Sequence, residues 1–390
     1  MSRTVLYQSF KHRSRLLAAG LLIMLACPVV VAGMPTTITS SVRDAAMPRY
    51  AHIFVIIEEN KGFKEIMDHP QWTPVIHRLA KDYGLATQFY AEVHDSEGNY
   101  LAMLGGNTFG IHDDDAFFCK PHLKNKFCGD SGRAHYVDHG IAARSLMDQL
   151  KAKGLSWKVY MQDIPAPGSL VPRWPTADYP VAGMPYQMYA AKHNGFVSFR
   201  DVHDAPYLSR AEHMVGFHQL DKDLASDDLP NYAHIVPDQC NEMHGRGNGD
   251  GPNIPPDCNS DNDPTGLIRR GDTEIGVLVN KIMHSRVWTD PGNTAIVITF
   301  DENNAAARTS GKQGCCGSDP HSRANFGGGH VVTLVITNHG PRHVVDNTPY
   351  NHYSLLRTTE DAFGIHRYLG YAADTRKGVV AMTPLFKVSH

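Results

Sequence analysis

Two apolar runs of strand length, far apart in the chain, pass without a break into carboxylates and amides. His52 to Ile57 leads into Glu58, Glu59 and Asn60, and Thr294 to Phe300 leads into Asp301, Glu302, Asn303 and Asn304. Buried strands that end in acid limit the folds open to the chain, because in an open α/β sheet each parallel strand delivers its following loop to one edge, where ligands bind. Further runs of strand length are Gln88 to Val93, Trp157 to Met161, Ala233 to Val236 and Val331 to Thr337, most of them rich in β-branched or aromatic residues. Helical patterns lie between them. Val75, Ile76, Leu79, Ala80 and Tyr83 form one face before Gly84, and Ala142, Leu146 and Leu150 do the same before Gly154. Asp272 is placed to cap a helix whose apolar face is Ile275, Leu278, Val279 and Ile282. This alternation predicts an α/β fold with a largely parallel central sheet covered by helices on both faces.

Composition narrows the partners. With 390 residues, 42% of them hydrophobic, the chain can bury a substantial core. Its net charge of -3 and the lack of a long lysine and arginine run exclude the electrostatic footprint of a nucleic-acid binder. Arg3, Lys11, Arg13 and Arg15 precede the apolar run Leu16 to Val31, which ends at Ala32, so residues 1–32 read as a secretory signal peptide. The alternatives are an uncleaved anchor, for which the run is short against the roughly 20 residues a bilayer span needs, and a lipoprotein cysteine at Cys27. No second span follows, so the cleaved chain is expected to be secreted or periplasmic, as one domain over 33–390. Seven cysteines less Cys27 leave an even set of six, which suits an oxidising compartment. Cys119 with Cys128, and Cys240 with Cys258, would each staple a polar loop, whereas a bridge between the adjacent Cys315 and Cys316 would be strained. Stretches near 165–185 and 248–266 read as irregular insertions.

Several carboxylates in one crevice repel each other unless a cation neutralises them, so the two acidic strand ends imply a divalent metal ion. Each cluster alone would equally suit helix capping; their pairing favours the metal. Oxygen ligands point to calcium, magnesium or manganese, with zinc the alternative that nearby histidines allow. The run Gln88 to Val93 leads into His94-Asp95-Ser96-Glu97-Gly98-Asn99-Tyr100, which sets Ser96 where a strand turns, a position that exposes a nucleophile. The bland reading of the same heptapeptide is an N-cap at Ser96 or Asp95. His244, His330 and His352 stand at element boundaries, His330 after three glycines. Asp257, Asn259, Asp261 and Asp263 alternate as in a calcium loop, but Asn262 and Ile268 occupy positions that need glycine and glutamate, so an EF-hand is excluded.

Taken in order, "HIFVIIEENKGF", "HDSEGNYLAMLGG", "HIVPDQCNEMHG", "TAIVITFDEN", "GGGHVVTLVITNHGP" and "NHYSLLRTTEDAFGI" resemble the phosphoesterase family of bacterial phospholipases C and secreted acid phosphatases, related in fold to alkaline phosphatase. The resemblance implies a metal-dependent phosphoesterase. In it Glu59 and Asn60 would be first metal ligands, Asp301 and Glu302 a second pair, and Ser96 a nucleophile that also touches the ion. Asn99, His244, His330 and His352 would surround the phosphate, with His330 or His352, protonated, serving the leaving alcohol. The chain departs from the family in placing Asp95, Glu97 and Gly98 beside Ser96, which adds negative charge near an anionic substrate. The end of the chain at His390, soon after the last matched segment, favours a compact acid phosphatase acting on phosphate monoesters over a phospholipase C acting on phospholipid. A binding protein that keeps the metal without turnover is the reading from another class. Oligomeric state is not legible.

Overall fold

The computed structural model describes residues 46–226, 228–304, 312–322 and 325–387. The expected signal peptide over 1–32, and Cys27 within it, lie outside the described residues. Eleven strands are present among them: β1 (His52–Glu58), β2 (Gly84–Ala91), β3 (Trp157–Met161), β4 (Arg173–Trp174), β5 (Tyr189–Ala190), β6 (Met214–Val215), β7 (Tyr232–Val236), β8 (Thr294–Phe300), β9 (Gly329–Thr337), β10 (Val344–Asp346) and β11 (Tyr350–Asn351). Nine of these form one sheet in the order β10-β2-β9-β8-β1-β7-β3-β6, with β11 also on β2, while β4 and β5 make a separate ribbon.

The sheet is parallel throughout except for β9, which runs antiparallel to both β2 and β8. Val55 at the centre of β1 is level with Val297 of β8 and His234 of β7. Every residue of β7 and β8 is buried, as a parallel sheet requires when elements cover both of its faces. The Pro74–Asp82 helix packs on the Pro264–Met283 helix, and the Glu97–Gly105 helix packs on His352–Ala362. From Ala45 onward the chain is one compact unit. No helix among the described residues is long and apolar enough to cross a membrane.

Most expected elements form within a residue or two of their predicted bounds. The strand expected over 88–93 instead starts at Gly84, directly after the helix that Gly84 was expected only to stop. Its register against β9 shifts between Ala86 and Phe89, which breaks the alternation a sequence reader follows. The helix expected from Ala142 starts at Leu146, where Ser145 and Asp148 form a capping box. Asp272 does not begin a helix: it lies within Pro264–Met283, whose cap is Asp263. Its carboxylate caps a different helix, accepting from the backbone N–H of Val75 at 3.0 Å and Ile76 at 2.9 Å. The expected pairs Cys119–Cys128 and Cys240–Cys258 form, and the adjacent Cys315 and Cys316 are joined as well.

Removing the Asp272 carboxylate strands two helix-end donors in a nearly closed environment. Asp272→Ala is therefore expected to lower the unfolding free energy by about 2 kcal/mol, with Asp272→Asn, which keeps one acceptor, losing less. Urea denaturation checks this, and an unchanged midpoint for Asp272→Ala would show that the cap contributes nothing.

Candidate active site and metal centre

Because β9 alone is reversed, the carboxyl ends of β1, β2, β7 and β8 and the amino end of β9 share one edge of the sheet. Glu59 and Asp301 are the first residues past β1 and β8, and the Asp301 N–H donates to the Glu58 carbonyl at 3.1 Å, which holds the two ends level. Side chains alternate along a strand. Glu59 accordingly enters the site while Glu58 turns away, where burial first, and then Glu274 and Asp272, hold its carboxyl well above the usual range.

Ser96 occupies the N-cap position of the Glu97–Gly105 helix but makes no cap hydrogen bond. Its hydroxyl lies 3.0 Å from Glu59 Oε2, to which it donates, and 3.3 Å from Glu302 Oε1. One helical turn on, the Tyr100 hydroxyl donates to Glu59 Oε1 at 3.0 Å. Gly98 permits the close approach behind this turn, since a Cβ there would sit 2.5 Å from the Ile111 carbonyl oxygen. At the reversed strand a Cβ on Gly329, whose φ is +96°, would meet the Asn303 carboxamide at 2.1 Å.

Residues not anticipated from sequence complete the cluster. His193 Nε2 lies 3.1 Å from Glu59 Oε1, and its Nδ1 lies 2.9 Å from Glu242 Oε1. His94 Nδ1 touches Glu302 Oε2. Lys192 is held by Asp114 at 2.8 Å, and its charge acts on both Glu59 and Glu302. His244, expected at the phosphate, is instead grouped with Glu59 and His193, the three offering ligand atoms within 4.8 Å of one another.

Other expected groups are committed elsewhere. The Asn99 side chain is bound to backbone: Oδ1 accepts from the N–H of Glu92 and Val93, and Nδ2 donates to the Val93 carbonyl. The His330 ring stacks between Phe63 and Tyr90, with Nε2 on the Thr87 carbonyl at 2.8 Å. His352 Nε2 meets the Phe300 carbonyl at 3.2 Å. Burial lowers both imidazoles, His352 to about 4, so neither fits the protonated group expected there. Asn60 is half-buried beside Glu59, and no hydrogen bond to its side chain exists among the described residues.

The electrostatics are those of a cluster short of positive charge. Burial raises Glu59 to about 7 against the opposing charge of Lys192, and Glu302 adds to the rise. Asp301 is held well above the carboxylate range by burial and then by Glu59 and Glu302, and Glu242 likewise by burial and then by Glu59. The contacts of His193 with two carboxyls do not make it an imidazolium. Burial, and then Lys192, hold both His193 and His244 well below the ordinary range. Both oxygens of Asp301 and Oε2 of Glu242 are buried without a hydrogen-bond partner. Orphaned carboxylate oxygens beside neutral imidazole nitrogens are the donor set of a divalent metal ion, and the residues present fit one. A cavity of about 510 Å³ lined in part by Ser145, Trp157 and Arg210 contains none of these groups.

Residues 59–366 match the sequence profile of the Phosphoesterase family. The chain belongs to the phosphoesterase family. Among relatives of this phosphoesterase, a phosphatidylinositol-3-phosphatase from Mycobacterium tuberculosis is 26% identical over 330 residues, covering 85% of this chain and 82% of that protein. A phosphate-repressible acid phosphatase from Penicillium chrysogenum is 24% identical over 335 residues, covering 85% of this chain but 63% of the fungal protein. Among solved structures, the lipoteichoic acid synthase LtaP from Listeria monocytogenes has a TM-score of 0.50 and 10% identity over 87% of this chain and 76% of that one, a likeness of fold alone.

Without a metal, carboxyls raised in this way bind more protons in the folded phosphoesterase than in the unfolded chain, between the ordinary carboxyl range and about 7 for Glu59. Stability must therefore fall as pH rises through that window. Chelator-treated protein is expected to melt lower at about pH 7.5 than at about pH 5, and a divalent cation at about a hundred times its Kd to restore about 2.7 kcal/mol at the higher pH. Thermal melts that respond to neither pH nor cation would remove the metal centre.

Proposed function

We propose that this chain is a metal-dependent acid phosphatase, secreted or periplasmic, that hydrolyses phosphate monoesters through Ser96. One observation carries the reading: a serine at a helix N-cap whose hydroxyl is turned off the helix and onto two buried carboxylates. An ordinary cap would accept from the first-turn N–H groups. The fold, the family and acid phosphatase relatives support the reaction class, and three disulfides support an oxidising compartment.

Glu59, Asn60, Asp301 and Glu302, together with His193 and His244, would hold the ion. Two imidazoles beside the carboxylates favour manganese or zinc over calcium or magnesium. When bound, the cation supplies charge that keeps the carboxyls ionised and eases ionisation of a nearby hydroxyl. Ser96 Oγ attacks phosphorus as its proton passes to Glu59 Oε2, the P–O bond to the alcohol breaks and the departing oxygen takes a proton from solvent water. Water then attacks the phosphoserine, the P–Oγ bond breaks, Ser96 recovers the proton from Glu59 and phosphate leaves. The positive end of the Glu97–Gly105 helix and the Lys192 ammonium would offer positive charge to the transferring oxygens. No proton-transfer role is given to His330 or His352, whose rings are engaged elsewhere.

Ser96→Ala is expected to cut phosphate release from p-nitrophenyl phosphate by a factor of about 10³ or more while leaving the melting temperature near that of the parent. Acid quenching of the parent protein during turnover should trap phosphate on Ser96. Full turnover by Ser96→Ala would remove the nucleophile, and faster cleavage of phosphatidylcholine than of the monoester would convert the reading to a phospholipase C.

A further inference from the structure

Parts of the two segments whose composition reads as irregular, with the residues that flank them, line a pocket beside the reaction centre. The ribbon places Arg173 level with Ala190 and passes the chain on to Lys192 and His193. The second segment is held by Cys240–Cys258 and by the pairing of Arg246 with Asn259. Between them is a cavity of about 330 Å³ whose lining includes Arg173, Lys192, His244, Arg246, Asp114 and Asp250. His244 also belongs to the metal-capable group, so the cavity and the reaction centre adjoin.

The charges in this cavity do not close. Lys192 is matched by Asp114 at 2.8 Å and Arg246 by Asp250 at 3.1 Å. Arg173 lies over the Phe127 ring at 5.7 Å, with no carboxylate at ion-pair distance among the described residues. Arg246 is only 5% exposed, and although its Nη1 donates to Gln239 Oε1 at 2.7 Å, its Nε is buried with no acceptor. An unmet buried donor on a cation, beside a second guanidinium, is costly unless an anion enters. Guanidinium groups bind phosphate and carboxylate through paired N–H donors.

We infer that this cavity reads a second anionic group, phosphate or carboxylate, on the alcohol side of the ester, with Arg173 and Arg246 as its contacts. The inference rests on the phosphoesterase reading above. It makes the preferred substrate a doubly anionic ester, and it gives Arg173 and Arg246 the task of choosing it.

The test compares glucose 1,6-bisphosphate with glucose 6-phosphate. The parent protein is expected to favour the bisphosphate in kcat/KM, and Arg173→Gln to lower the bisphosphate-to-monophosphate ratio about tenfold, chiefly through KM, with Arg173→Lys keeping part of it. A ratio that is near one in the parent, or untouched in Arg173→Gln, with both the sugar and a phosphatidylinositol 4-phosphate vesicle substrate overturns the inference. Calorimetric titration of glucose 1,6-bisphosphate into manganese-supplemented protein separates the two possible failures. If no ester is cleaved but binding occurs and Arg173→Gln weakens it about tenfold, the cavity keeps its role and the phosphoesterase reading falls; absence of binding sinks the cavity's role. Repeating the comparison with phosphatidylinositol 4-phosphate in phosphatidylcholine vesicles distinguishes the source. A loss in Arg173→Gln confined to vesicles assigns the second anion to a lipid headgroup, and a loss confined to the sugar assigns it to a free phosphate ester.

Discussion

The buried carboxyl groups of Glu59 and Asp301 meet side by side, with Glu302 and Glu242 close behind. Two ionised carboxylates in such contact repel strongly, so the arrangement persists only if a proton or a cation lies between them. The surroundings follow from that constraint. Lys61 is buried and Lys192 part-buried, with their charges acting on the cluster, and the Tyr100 and Ser96 hydroxyls donate hydrogen bonds to Glu59. Local positive charge lightens the repulsion without removing it, and the oxygens of Asp301 stay without a partner. A fold assembled for stability alone would place apolar side chains here.

How the backbone brings these groups together explains what sequence could and could not reveal. Glu59, Ser96, Asp301 and Glu302 lie next to strand ends, and parallel topology sends such ends to one edge, so strand-length apolar runs were enough to locate them. His193, Lys192 and Glu242 reach the same place by another route. The first two follow the ribbon through a single 3-10 turn at Ala191–His193, and Glu242 lies in the turn after β7, where its N–H donates to the Asp238 carbonyl. No periodicity announces such segments, and proline-rich or glycine-rich composition conceals them. A disulfide spacing was the one available signal, since Cys240 ties the Glu242 turn to a distant loop.

Residue type alone misleads where the backbone has a prior claim on a side chain. Asn99 sits one residue before Tyr100 on the same helix, yet its carboxamide closes the turn between β2 and that helix. His330 is level with Tyr90 across the antiparallel β2–β9 pair and spends its Nε2 on Thr87. His352 is the first residue of its helix, and its N–H donates to Glu92. Each looks functional from position, and each is occupied by hydrogen bonds that hold the site's frame. Sequence gives the edge of the sheet; it does not give which side chains at that edge are already engaged.

The same distinction settles the acidic residue beside Ser96. Glu97 follows Ser96, and a second negative charge there would repel an incoming phosphate. In the folded chain its carboxylate is turned away from the site, accepting from Ser198 Oγ at 2.8 Å and meeting His139 Nδ1 at 2.9 Å, while His139 Nε2 meets Asp113 at 3.0 Å. Glu97 and Asp113 together overcome the burial of His139 and raise it to about 11, so one imidazolium offsets part of the charge of these two carboxyls. Breaking such a buried pair from one side leaves an uncompensated ion, which makes the pairing hard to lose once formed. Glu97 therefore acts through position: it joins the start of the helix capped by Ser96 to the loop carrying His139.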